Sequence, residues 1–597
     1  MAVNQTQLDK HQHSPELGDL LVHYLEQLGI EYIFGVPGGA IEPFYNALAR
    51  SERRNGPRSI TACHETGAAF MAEGYTRQTG KIGVCCATTG PGTTNLITGV
   101  ASAYENQIPM LVITAQTALS HFGQGAFQES SCTGINTVAM LDHCTRYSTL
   151  ISHVEQFEQK LVTAIMTAHH SPHGPVHLSI PLDIMRAYSP VSKPSYNLAD
   201  LISHGSVFDH TAADQLCKLL KTAKQPVFII GSDCSEAIGI ILQLAVLLQI
   251  QIVTTPDGKG FVSPYHPLFR GVTGFAGHDT ANDLLSSRDT DLIIAVGTNL
   301  GEWATNGWDH QTILNNRLVH IQSAEKSLTR SPMAQLHLQG RISAIFSYTL
   351  TEVQKETQPA VQQSHKKILR EVNSTGKINT QFRMRNEYKC HDDSSPIKPQ
   401  RLMHLLAEIF PPQTCFTVDT GNSTAWAIHY LHPFDRRIAG HHENNSGLVC
   451  FSQEFSSMGW AIGASIGIAI GNNKRPTVCI TGDGSLLMSG QEISVAVQQQ
   501  LPIIYIVLND SALGMVKHGQ RMGNAEQVAY QLATVDFAAY AQAIGANGIV
   551  IKTPEDIQSI NVNSILKCKS PTILDVRIDT DEIPPIGCRV HALKDLS

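Results

Sequence analysis

The run Pro476-Thr-Val-Cys-Ile-Thr481 ends in Gly482-Asp483-Gly484-Ser485, and this junction constrains the fold more tightly than any other stretch. A short apolar run bounded by turn formers reads as a strand buried on both faces, as in parallel sheets. Open α/β sheets take their ligands beyond the carboxyl ends of such strands. Glycines there let backbone amides approach an anion, and Asp483 adds a hard oxygen. A second oxygen donor, Asp510, returns after residues 491–500 and the apolar run 503–508. Two side-chain oxygens, a carbonyl and phosphate oxygens together suit Mg²⁺, which takes few ligands from protein and the rest from its substrate's phosphates. A lone Asp-Gly also marks ordinary turns. The second oxygen donor, with a helix and a strand between, is what favours a metal–diphosphate site.

The rest of the chain supports the same class. From residue 14 to 188, expected strands at 32–34, 59–63, 82–87, 110–114 and 176–180 alternate with helices at 17–28, 41–49 and 65–78. Alternation of this kind means a parallel sheet covered on both faces. It recurs from 209 to 347 and from Pro396 to about 579. At 597 residues the chain is too long for one core. The expected fold class is α/β, with three doubly wound parallel-sheet domains at 14–190, 205–348 and 396–580. A polar linker at 349–395 and a tail at 581–597 complete the division.

Composition excludes other classes. With 42% hydrophobic and 16% charged residues and a formal charge of −8, the chain has no basic face for a nucleic acid. No apolar run reaches membrane-spanning length, and the first residues carry no apolar core of a signal peptide. The 13 cysteines are scattered, several inside apolar runs such as Val84-Cys85-Cys86. Reduced thiols in a cytoplasmic protein are the expectation. No Cys-x-x-Cys or His-Glu-x-x-His spacing offers a zinc site.

Glu65 opens a helix in Cys63-His64-Glu65-Thr66-Gly67-Ala68-Ala69. An acid in a first turn meets the positive end of the helix dipole, which is a structural reason in itself. Taken with Gly482-Asp483-Gly484 and Asp510, however, the segment resembles the thiamin diphosphate-dependent enzymes, and among them the acetolactate (acetohydroxyacid) synthases. That resemblance runs from residue 14 to the closing Asp581-Glu-Ile-Pro-Pro-Ile-Gly587. It implies that Glu65 bonds the cofactor's aminopyrimidine N1′ and promotes proton removal from the thiazolium ring. Asp483, Asp510 and the carbonyl of Ala512 would hold Mg²⁺, with Gly482, Gly484, Ser485, Leu513, Gly514 and Met515 around the cofactor. In Phe455-Ser-Ser-Met458-Gly459, Met458 would wedge between the cofactor's rings and the Ser456 carbonyl would accept from its amine, although Met is also generic core filler. Gly421, Asn422 and Ser423 would hold the diphosphate from its other side.

The same resemblance assigns Pro91 and Asn95, in Gly90-Pro91-Gly92-Thr93-Thr94-Asn95, to the cofactor, and Gly39 to the catalytic set. It places Phe127 and Gln128 of Ala126-Phe127-Gln128-Glu129 beside the substrate. Arg146 keeps a positive charge that would meet a carboxylate or form a surface ion pair. The implied cofactors are thiamin diphosphate and Mg²⁺. The implied reaction decarboxylates a 2-keto acid, with pyruvate expected, and transfers the acyl group to a carbonyl acceptor. Simple release of an aldehyde is the alternative. The partners are small molecules, and a homodimer or homotetramer with active sites between subunits is implied.

Two departures qualify the resemblance. The FAD-binding synthases carry Arg-Phe-Asp-Asp-Arg where this chain reads Thr298-Asn299-Leu300-Gly301-Glu302, and an acidic stretch where it reads Gln322-Ser323-Ala324. FAD is therefore not expected. The tryptophan that selects the second keto acid falls at Gly519, which removes an aromatic wall. A nucleotide-binding dehydrogenase is disfavoured because Gly35-Val-Pro-Gly-Gly39 lacks the Gly-x-Gly-x-x-Gly spacing. A non-catalytic scaffold is disfavoured by intact Glu65, Asp483 and Asp510.

Overall fold

The computed structural model describes residues 15–203, 207–356, 380–435, 447–472 and 475–587. Residue 14, part of the expected linker and the end of the expected tail lie outside them. Among the described residues eighteen strands form three parallel sheets of six. The first holds β1 (Tyr32–Val36), β2 (Arg58–Thr61), β3 (Gly83–Ala87), β4 (Met110–Gln116), β5 (Tyr147–Leu150) and β6 (Pro175–Pro181), in the order β2-β1-β3-β4-β6-β5. The second holds β7 (Pro226–Ile230), β8 (Gln251–Thr254), β9 (Phe269–Val272), β10 (Leu292–Val296), β11 (Leu318–Gln322) and β12 (Leu336–Gln339), in the order β12-β11-β10-β7-β8-β9. The third holds β13 (Cys415–Val418), β14 (Val449–Phe451), β15 (Thr477–Gly482), β16 (Ile504–Asn509), β17 (Asn547–Ile551) and β18 (Thr572–Arg577), in the order β14-β13-β15-β16-β18-β17. This is the expected α/β class, three parallel-sheet domains with helices interleaved.

Central strands are buried along their whole length, as β3, β4 and β6 illustrate, because helices cover both faces of a parallel sheet. Strands β5, β9, β12, β14 and β17 were not expected. All five close a sheet edge, and β14 has three residues while the first four positions of β17 alternate exposed with half-buried. The helix Ile342–Glu356 runs into the stretch expected as a linker.

By contact the described chain forms two compact units that do not follow chain order. One comprises 15–203 with 454–472 and 489–501; the other comprises 207–453, 475–488 and 502–587 among the described residues. In the first unit the helices Glu65–Thr79 and Trp460–Gly471 cross with their backbones nearly touching. A Cβ on Gly467 would lie 1.9 Å from the Met71 carbonyl oxygen, and one on Gly74 would lie 2.2 Å from that of Ala464. In the second unit the central and third sheets share one apolar core, with Phe228, Ile294, Trp426, Val478 and Ile506 among its members. Among the described residues no helix is long and apolar enough to cross a membrane.

Candidate active site

Glu65 begins its helix directly after β2, in the first compact unit, and is 8% exposed. Its N-cap is His64, whose Nδ1 accepts from the Thr66 amide at 3.2 Å. Glu65 Oε2 accepts from Asn95 Nδ2 at 2.9 Å. The Asn95 carbonyl in turn accepts from the Thr66 hydroxyl at 2.5 Å, so one residue grips the helix start twice. Gly92 leaves room beside Glu65, since a Cβ there would lie 3.3 Å from its Oε1 and 2.8 Å from Thr88 Cγ2.

The loop after β3 meets the loop carrying Phe127 and Gln128. Thr89 Oγ1 donates to the Gln128 carbonyl at 3.0 Å, and the Gly90 amide donates to Ser130 Oγ at 3.2 Å. Gln128 sits at φ 59°, a left-handed conformation, which turns the chain and leaves Phe127 87% exposed. Glu129 anchors this loop by accepting from the Gly123 amide at 2.8 Å and the Ser131 hydroxyl at 2.6 Å. Those bonds, led by the Ser131 hydroxyl, hold its carboxyl down at about 2. Gly39 is exposed in the turn after β1, and Pro91 is exposed at the start of the helix Pro91–Asn95. Ser456 and Met458 are half-buried and fall in the same unit as Glu65. Arg146 is spent elsewhere, with its guanidinium carbon 4.0 Å from the Tyr104 ring centroid.

In the second unit, the carboxyl ends of β13, β15 and β16 bring the other expected residues together. Asp483 starts the short helix Asp483–Ser489 and is 3% exposed. Its Oδ1 accepts from the Gly484 amide at 2.7 Å. Burial raises its carboxyl above the ordinary range, against the amides of Gly484, Ser511 and Ala512, which pull it down. Asp510 is pushed up to about 7, first by burial and then by the charge of Asp483. Two carboxyls that repel one another in a buried place favour a cation between them. Asn509, its neighbour, points its amide away to Asp575 Oδ1 at 2.8 Å and the Val535 carbonyl at 3.2 Å. Ser511 takes a left-handed φ of 52°, and the Leu513 amide donates to the Tyr530 carbonyl at 2.7 Å, which together fix the Ala512 turn.

Across from these, Gly421 caps the helix Asn422–Tyr430. A Cβ on Gly514 would lie 2.6 Å from Asn422 Nδ2 and 2.8 Å from Asp510 Oδ2, so Asn422, Asp510 and Gly514 are neighbours. Ser423 gives its hydroxyl to the Asp419 carbonyl at 2.7 Å, which leaves its backbone amide, in the helix's first turn, as the group able to meet an anion. Leu513 and Met515 flank Gly514 and are half-buried.

The fit to a bound polyanion and cation is tested by what the protein leaves unsatisfied. Asp483 Oδ2, Ser485 Oγ and Asn422 Oδ1 are buried without a hydrogen-bond partner, a state that buried polar atoms rarely keep without a ligand, water or ion. A Cβ on Gly421 or Gly482 would meet nothing within 4 Å, so there is open space beside them. No group of three His, Cys, Asp or Glu side chains among the described residues forms a metal centre by itself. A cation here would thus complete its shell with a carbonyl and ligand oxygens, which suits Mg²⁺ on a diphosphate.

Sequence reasoning missed Glu492, which is 1% exposed and accepts from the amides of Cys63 and His64. It also missed that Asn95 bonds Glu65. Neither leaves a local signal, because both contacts join segments distant in sequence.

Family models of the thiamine pyrophosphate enzymes match the chain three times: the N-terminal TPP binding domain over residues 15–137, the central domain over 213–348 and the C-terminal TPP binding domain over 419–576. The chain belongs to the thiamine pyrophosphate enzymes. Within that family it is 30% identical over 578 residues to the acetolactate synthase isozyme 3 large subunit of Escherichia coli, covering 94% of this chain and 95% of that one. It is 29% identical to the isozyme 2 large subunit of the same organism, covering 97% and 99% of the two chains. A probable acetolactate synthase large subunit of Methanococcus aeolicus is 28% identical, with 95% and 93% covered.

Proposed function

We propose that this protein is a Mg²⁺- and thiamin diphosphate-dependent carboligase of the acetolactate synthase type, acting in the cytoplasm. It decarboxylates a 2-keto acid, pyruvate in the first instance, and transfers the acyl group to a second carbonyl compound. The observation that carries this reading is the set of unpartnered buried atoms on Asn422, Asp483 and Ser485 beside the repelling pair Asp483 and Asp510. Asp483, Asp510 and the Ala512 carbonyl hold the cation. The first-turn amides at Asn422 and after Asp483, with Gly482 and Gly484, receive the diphosphate at helix N-termini.

Bound thiamin diphosphate supplies the electron sink that makes loss of the carboxylate feasible. Glu65 holds a proton at the cofactor's N1′, and Asn95 keeps its carboxyl oriented through the bond to Oε2. Met458 and the Ser456 carbonyl would hold the cofactor's rings in place. Phe127 and Gln128, on their anchored loop, line the substrate with Gly39, while Pro91 meets the cofactor. The protein works as a homodimer or homotetramer in which Glu65 of one chain serves the diphosphate site of another. Analytical ultracentrifugation at working concentration reads that state, and a stable monomer with full activity contradicts it.

Product analysis by NMR, with pyruvate, Mg²⁺ and thiamin diphosphate and without added flavin, tests the reaction. Acetolactate is expected; acetaldehyde alone converts the reading to a decarboxylase. Glu65→Gln keeps cofactor binding by titration calorimetry but loses turnover. Asp483→Ala loses Mg²⁺-dependent cofactor binding, and unchanged affinity refutes the assigned cation site.

A further inference from the structure

Glu492 lies in the 3₁₀ turn Gly490–Glu492, which leads into the helix Ile493–Gln498 of the first compact unit. Its Oε2 accepts from the Cys63 amide at 3.1 Å and its Oε1 from the His64 amide at 2.9 Å. These are the two residues ahead of Glu65, and His64 is the N-cap of the Glu65 helix. Both amides would otherwise stand among the unpaired donors at a helix start. Gly67, in the same first turn, leaves the space the carboxyl occupies: a Cβ there would lie 2.4 Å from Glu492 Cδ and Oε1. Cys63 is held a second time, its thiol donating to the Gln491 carbonyl at 3.3 Å and lying 3.1 Å from Ser494 Oγ.

Among the described residues no cationic side chain acts on this buried carboxyl. Glu65 and the Cys63 thiol are the titratable groups that face it, and the turn's amides supply its hydrogen bonds. An acid buried without a cation costs stability, and an aliphatic residue of similar size would avoid that cost. What the carboxyl provides in return is two directed acceptors on consecutive amides.

We infer that Glu492 is a positioning residue for Glu65: it clamps the turn between β2 and the Glu65–Thr79 helix and thereby sets where the helix's first side chain points. This rests on the reading of Glu65 as the group that handles the cofactor's proton. Asn95 holds the tip of the Glu65 side chain, whereas Glu492 holds the backbone from which it grows. The two act on opposite ends of one side chain.

Glu492→Gln is the test, because the amide keeps one acceptor but turns a donor toward the other N–H. In the full chain without cofactor, hydrogen exchange in a peptide spanning residues 61–67 should accelerate. With cofactor, kcat should fall on the order of 10-fold, within the ~10²-fold that a misplacement of about 1 Å costs, while thiamin diphosphate affinity by calorimetry holds. The pH profile of kcat should also shift, since a charge beside Glu65 is removed. Glu492→Asp keeps two acceptors on a shorter arm and should recover part of the loss. If Glu492→Gln does not fold, Gly67→Ala displaces the carboxyl from the other side and should give the same exchange and kcat changes. Glu73→Gln is the control, a buried acid on the same helix bonded to Arg77 and Ser102; it should lower thermal stability without altering exchange at 61–67 or the pH profile.

Unchanged exchange at 61–67 in Glu492→Gln overturns the inference, as does a pH profile that moves no more than in Glu73→Gln. The role of Glu65 is judged separately by Glu65→Gln. The exchange result on the cofactor-free chain stands whichever way that variant behaves.

Discussion

Asn95 Nδ2 donates to Glu65 Oε2 at 2.9 Å, and the Asn95 carbonyl accepts from the Thr66 hydroxyl two positions into the same turn. A single residue, the last of the helix Pro91–Asn95 that follows β3, thus ties down both the side chain and the helix start. Asn95→Ala removes the side-chain donor from a carboxyl that is 8% exposed. A hydrogen bond of this kind contributes about 1.5–3 kcal/mol when one partner is charged. Thermal unfolding of the cofactor-free variant should therefore begin at lower temperature, with kcat reduced as well. A variant that melts and turns over like the parent shows that Glu65 is held without Asn95.

The crossing of the helices Glu65–Thr79 and Trp460–Gly471 depends on missing side chains. A methyl on Gly467 would press within 1.9 Å of the Met71 carbonyl oxygen, which belongs to a helix backbone with little room to give. Gly467→Ala should cost about 1–3 kcal/mol, the usual range for overpacking a filled interior, and should lower the melting temperature. Gly519→Ala is the comparison, since a Cβ there meets nothing within 4 Å and its effect should be small.

The elements readable from sequence are those whose physics is local. Strands β15 and β16 stood out because unbroken apolar runs ending in turn residues are what a strand buried on both faces requires. Asp483 stood out because glycines bracket it. Strands β5 and β17 escaped because they are short and lie at sheet edges, where positions are half-buried or exposed and no long apolar run is required. Glu492 escaped for a different reason. An acid near a helix start reads as a dipole or solvent effect, and the amides that bind it lie 428 and 429 positions away. The grouping of residues 454–472 and 489–501 with the first sheet escaped as well. Apolar helices announce that they are buried, but not against what.

A Cβ on Gly519 would meet nothing within 4 Å, and the residue lies on the helix Gly514–Gly523 that follows the Ala512 turn. Gly519→Trp should narrow the range of carbonyl acceptors. In competition experiments with a small and a bulky acceptor, the ratio of products should move toward the small one, by about 10- to 200-fold if the indole fills a pocket that otherwise admits a methylene or more. An unchanged ratio places Gly519 away from the acceptor.

Glu492 also makes the cofactor-free protein sensitive to pH in a defined direction. Burial, with Glu65 adding to it, pushes its carboxyl from 4.5 up to about 7. Between those values the folded chain holds a proton that the unfolded chain has released, so stability falls as pH rises. The contribution is fully present below about 4.5 and is lost as pH passes through about 7, with a magnitude of roughly 3 kcal/mol at most. The melting temperature should therefore drop between pH 5 and pH 8, measured without cofactor at fixed ionic strength. In Glu492→Gln that slope should flatten, because an amide does not titrate. A parent protein whose midpoint rises over this interval, or a variant with the same slope as the parent, means that the carboxylate is offset by a group other than the two amides that bind it.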